Sequence, residues 1–229
     1  MSQHQQTLLR NFIKFTSYTE GRDKLYRVTQ YASRFLLWYY TNYGGPKNTV
    51  QTVQNLESAV TTSRKLFRMF RSAEFAQKAM DMLALTDDVQ RLLTVIGYSG
   101  KALWLLVDHL IWFGKTDIYS VDTKKWSQRS AWCWLIALVS LTLNDLRKIQ
   151  LLARRAADMQ RAGTIKSMQG AELQRDIQKA HLQLIIDASD LLIPLSVLGY
   201  VSKGWGALGG VVSSVVAIHV VWNKNVHGQ

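Results

Sequence analysis

The sequence predicts an all-α integral membrane protein, part bilayer span and part water-facing helix, and three observations carry that reading. Gly204 to Trp222 runs nineteen residues without Asp, Glu, Lys or Arg. At about 1.5 Å of rise per residue such a helix covers the ~30 Å hydrocarbon core of a bilayer. Trp205 and Trp222 at its ends suit the membrane–water interface. The 229 residues contain only two prolines, Pro46 and Pro194, so long stretches lack a backbone breaker while helix-tolerant Gln, Leu, Ala, Arg and Lys recur. A formal net charge of +12 asks for a polyanionic neighbour. The apolar run makes that neighbour anionic lipid rather than nucleic acid.

The elements follow in chain order. Leu25, Val28, Ala32, Phe35 and Leu36 keep the 3–4 spacing of one apolar face and predict a helix over residues 7–40, ended by Tyr43-Gly44-Gly45-Pro46. A second long helix is predicted over 49–82 and a third from about 86. Residues 1–92 thus form an N-terminal helical, membrane-apposed region. Residues 93–143 carry two hydrophobic helices around a polar loop, 115–129. Lys101, Asp108 and His109 interrupt the first of them, an arrangement tolerated in hydrocarbon only where such groups face protein or snorkel. The second, Ala131 to Leu143, is thirteen residues long and short for a span. Residues 144–183 read as a polar helical connector with eight basic and four acidic side chains. The C-terminal hydrophobic region, 184–229, contains the predicted span at 204–222. Thirteen Lys/Arg against seven Asp/Glu in the first ninety-five residues, together with Lys224, put both termini in the cytosol and require an even number of crossings, two or four.

The sharpest local pattern is Ser63 to Arg71. At 100° per residue, Arg64, Arg68, Arg71 and Lys78 share one sector with Lys65 at its margin, and Leu66, Phe67, Met69, Phe70 and Ala73 lie opposite. A basic amphipathic helix over 55–80 follows. It can lie in a membrane interface, with Arg64, Lys65, Arg68 and Arg71 on anionic phospholipid head groups and Leu66, Phe67, Met69 and Phe70 among the acyl chains. The same pattern also suits a cytosolic helix that packs Phe67 and Phe70 into a protein core and leaves its basic face in water. Gly206, Gly210 and Ser214 at four-residue spacing line one face of the terminal run and predict close helix association.

Catalytic readings find little support. Cys133 is the only cysteine, which excludes an intrachain disulfide or a cysteine zinc site. His4, His109, His181, His219 and His227 lack metal-ligand spacing, and no phosphate- or dinucleotide-binding glycine loop occurs. The expectation is a protein with no enzymatic activity, no metal and no cofactor.

Several short motifs, in order, resemble one family, the peroxisomal membrane-elongation proteins known as peroxin eleven. They are Arg22-Asp23-Lys24 with Arg27 and Gln30-Tyr31; Ser63-Arg64-Lys65 with Arg68; Asp108 with Trp112, Gly114 and Lys115; Lys125-Trp126; Leu198-Gly199; and Gly209-Gly210 with Ser213-Ser214. The resemblance runs nearly end to end. It implies a peroxisomal membrane protein with cytosolic termini that forms homo-oligomers, tubulates the membrane through its amphipathic helix and promotes fission by a dynamin-related machinery. Residues 154–183 depart from the long Gly-rich linker of some animal members. A helical pore or metabolite channel is the alternative within the family. Lys101, Asp108, Asp187 and Asp190 are the polar residues such a conduit would need.

Overall fold

The computed structural model describes residues 3–228, and the side chains of Gln3, His4 and His227 lie outside the described residues. Among the described residues there are eight α-helices and no strand. They are α1 (Gln3–Ser17), α2 (Thr19–Tyr43), α3 (Lys47–Phe67), α4 (Arg71–Asp81), α5 (Asp88–Lys115), α6 (Thr123–Arg161), α7 (Met168–Val197) and α8 (Lys203–Trp222). A 3-10 turn, Met82–Ala84, precedes α5, and a π-helical turn, Asn223–His227, follows α8.

Four helices begin where a short polar side chain caps an otherwise unsatisfied backbone N–H. Asp87 accepts from the Gln90 N–H at 2.9 Å and Asp122 from that of Lys125 at 3.0 Å. Ser167 accepts from Gly170 at 3.3 Å and Ser202 from Trp205 at 3.4 Å. Left-handed Gly163 and Gly199 lie just past the ends of α6 and α7, a conformation glycine adopts without a Cβ penalty.

The all-α prediction holds, with two corrections to its elements. Residues 7–40 are two helices that turn at Tyr18, and the predicted 49–82 helix is broken between Phe67 and Arg71. The polar helical connector 144–183 consists of the second half of α6, a short turn and the first half of α7.

α5 and α6 form one antiparallel hairpin, in which the Trp104 and Trp134 rings stack at 4.5 Å. α7 and α8 form a second, beside α6, and α2 lies along the other side of α8. α3 covers α2, while α4 covers α5. The interior of this bundle holds ion pairs among apolar side chains such as Leu105, Leu138 and Ile193. Arg27 pairs with Asp190 at 2.5 Å and Lys101 with Asp187 at 3.5 Å, all with side chains largely out of solvent. The exterior is apolar over much of its surface: Leu103, Leu106 and Leu110 of α5, Trp132, Ile136 and Val139 of α6, and Val212 and Val215 of α8 are exposed. Charges paired inside and large apolar side chains outside reverse the pattern of a water-soluble domain. α7 and α8 are long and apolar enough to cross a membrane.

Candidate membrane-contact site

The predicted basic amphipathic segment is a corner. α3 ends at Phe67, and the backbone amides of Arg68, Met69 and Arg71 then close short turns onto Lys65, Leu66 and Arg68. Phe70 takes a left-handed conformation with φ of 66°, and α4 restarts at Arg71. A non-glycine residue in that region costs of order 1–3 kcal/mol and persists only where surrounding contacts impose it. Here two sets of contacts pull in different directions: α3 is held on α2 and α4 on α5.

Those contacts are made by the residues expected on head groups. Arg64 is only 4% exposed, and donates to both Asp23 carboxylate oxygens, at 3.1 and 3.4 Å, and to the Gln30 side-chain carbonyl. Lys65 pairs with one oxygen of Asp108, and Arg68 donates to the other at 2.8 Å while its guanidinium lies 5.2 Å from the centre of the Trp104 ring. Arg71 is half-exposed beside Glu74 at 3.5 Å. Burial and the neighbouring Arg68 hold the Lys65 ammonium well below its usual pKa. Burial pushes the Asp23 carboxyl up, but Arg64 outweighs it and the net displacement is downward.

Arg64, Lys65 and Arg68 of the amphipathic segment therefore face protein carboxylates. The physical reason is that α2 and α5 each present a buried carboxylate to it, and a buried charge must be paired. Its apolar side chains are left outside. Phe67 is 59% and Phe70 81% exposed, Leu66 is exposed beside them and Met69 is half-buried. Neither the cytosolic-core arrangement nor an open cationic face describes this corner.

Gly206, Gly210 and Ser214 do line a close helix contact, but it lies within the chain. A Cβ on Gly206 would clash with that of Ser196 on α7, and one on Gly210 would clash with the Tyr31 ring on α2. Ser213 and Ser214 are fully buried, both hydroxyls donating to the Gly210 carbonyl. The polar residues on which a conduit would depend are likewise engaged, Asp108 by Lys65 and Arg68, Asp187 by Lys101 and Asp190 by Arg27.

Several of the motifs scattered along the sequence thus meet in space. Asp23 and Gln30 meet Arg64, Arg68 meets Asp108, and Tyr31 meets Gly210. A family model described as Peroxisomal biogenesis factor 11 (PEX11) matches residues 9–222. The chain belongs to the PEX11 family. Peroxisomal membrane protein 11A of Homo sapiens is 28% identical to it over 92% of this chain and 95% of that protein. Peroxisomal membrane protein 11B of Homo sapiens is 27% identical over 90% and 94%. Peroxisomal membrane protein PMP27 of Saccharomyces cerevisiae is 31% identical over 92% and 93%. No solved structure matches the chain. The expectation of a peroxisomal membrane protein of the biogenesis machinery is met by this kinship.

Proposed function

We propose that this PEX11-family member elongates the peroxisomal membrane by wedging the α3–α4 corner into its cytosolic leaflet, and so prepares the organelle for fission. One observation supports this above the others: Phe67 and Phe70 stand out of the protein surface while the charges of the same segment are turned in. Each large apolar side chain contributes up to about 1.5–3 kcal/mol if fully buried among acyl chains. A wedge in one leaflet expands it and favours curvature. The roles are divided. Leu66, Phe67 and Phe70, with Met69 behind them, insert; half-exposed Arg71 and exposed Lys78 reach anionic head groups; and Arg64, Lys65 and Arg68 clamp the corner to the bundle.

The anchor is the α7–α8 hairpin, and the chain crosses an even number of times with both termini in the cytosol. Copies of the chain associate to spread the effect along a tubule, through a surface other than the Gly206/Gly210 face, which α2 and α7 occupy. A dynamin-related machinery severs the elongated membrane.

The decisive variant is Phe67→Glu with Phe70→Glu. Both side chains are exposed, so the fold should survive, and the spans should keep the protein on peroxisomes. Cells carrying it as their only copy should show fewer and less elongated organelles, and the purified protein should lose its ability to tubulate anionic vesicles. Undiminished tubulation would remove the corner from the mechanism.

A further inference from the structure

We infer that the protein has an internal binding site for a phosphate dianion, where α2 and the α3–α4 corner meet α5, α7 and α8. The inference does not rest on the membrane-wedge reading, although Arg71 figures in both. A cavity of about 230 Å³ opens there. At roughly 30 Å³ per liquid water it holds the volume of about seven waters, ample for a phosphate group.

Six cationic side chains line it: Lys24, Arg27, Arg64, Arg68, Arg71 and Lys101. Four carboxylates line it as well, and three of them are engaged by cations of the same lining. Asp23 is taken by Arg64, Asp190 by Arg27 and Asp187 by Lys101, while Glu20 lies 3.5 Å from Lys224 of the C-terminal turn. Arg68 finds its carboxylate, Asp108, outside the cavity lining. Two cations remain. Lys24 makes no ion pair or side-chain hydrogen bond among the described residues, while Arg71 has an exposed i,i+3 contact with Glu74, a kind of pair worth little, and lies 5.8 Å from the centre of the Phe75 ring. Burial and the neighbouring Arg27 lower the Lys24 pKa to about 8, against the opposing pull of Asp23 and Glu20. Six cationic against four anionic side chains leave the lining with a formal surplus of two positive charges, which complements a dianion, and guanidinium forks suit phosphate oxygens in particular. A phosphate monoester supplies that chemistry either as a free anion or as a lipid head group.

The test uses full-length protein in phosphatidylcholine nanodiscs at 0.15 M NaCl. In one arm inorganic phosphate is titrated; in the other, phosphatidic acid replaces part of the phosphatidylcholine, with phosphatidylserine, at a mole fraction raised to match the surface charge, as the control. The unfolding temperature should rise by several degrees and saturate in at least one arm. A rise with inorganic phosphate identifies a soluble ligand, and a rise with phosphatidic acid alone identifies a head group. Lys24→Met and Arg71→Gln should each lose the rise, and Lys125→Gln, far along the chain on α6, should keep it. If Lys24→Met fails to fold, Arg71→Gln decides alone. No saturable rise in either arm, an equal rise with phosphatidylserine, or an undiminished rise in the variants would overturn the site.

Discussion

Asp108 holds the α3–α4 corner in place. It is buried on α5, and its two oxygens separately engage Lys65 and Arg68. Asp108→Ala would leave two cations out of water without a partner, which for buried pairs costs about 3–5 kcal/mol. Thermal unfolding in detergent should show that loss, with proteolysis near residues 68–70 as an early sign. Protein that remains folded should bind anionic vesicles with a steeper dependence on salt, because freed Lys65 and Arg68 act through screened charge. The need for a partner was legible in the sequence, since a carboxylate inside an apolar helix demands one. Its identity was not. Lys65 and Arg68 lie about forty residues upstream, and periodicity reports which side chains share a face, never which way the face is turned. Arg64 shows the same limit: it shares the basic sector, yet it is the most deeply buried of the four.

At the scale of elements, α8 is a packing surface as much as an anchor. Gly210→Leu would drive a side chain into the Tyr31 ring, and such overpacking costs about 1–3 kcal/mol. The expected outcome is a lower unfolding temperature in detergent with membrane insertion preserved, since hydrophobicity rises. Crosslinking between differently tagged copies should be unchanged per folded molecule; a selective loss of crosslinking would return this face to the interface between copies. The small-residue stripe could be read from spacing, but spacing alone does not separate a contact within the chain from one between chains. Helix ends marked by Gly44, Gly163 and Gly199 or by polar caps were open to reading as well. The break at residues 68–70 was not, because it contains neither glycine nor proline and is imposed by ion pairs to α2 and α5.

Across the whole molecule, the two hairpins run side by side and sort the chain ends. The Trp132 ring near the start of α6 lies 6.3 Å from that of Tyr200 in the α7–α8 turn, so loops 116–122 and 198–202 share one end of the bundle. The termini share the other. Phe15 and Trp222 rings lie 5.2 Å apart, Lys14 donates to the Val226 carbonyl at 3.1 Å, and Lys224 lies 3.5 Å from Glu20. The turn at 162–167 projects from that same end on the long polar halves of α6 and α7. The even crossing number proposed above fits this geometry, because a chain that leaves and returns to one end of a bundle that spans a bilayer crosses in pairs. Epitope tags at 162–167 and at both termini should therefore be cleaved by protease added to intact peroxisomes, and a tag at 198–202 should be protected until the membrane is opened. A tag at 116–122 should behave like the one at 198–202. Cleavage at 198–202 in intact organelles would mean that α7 and α8 do not cross, and that the apolar exterior is covered by something other than the hydrocarbon core.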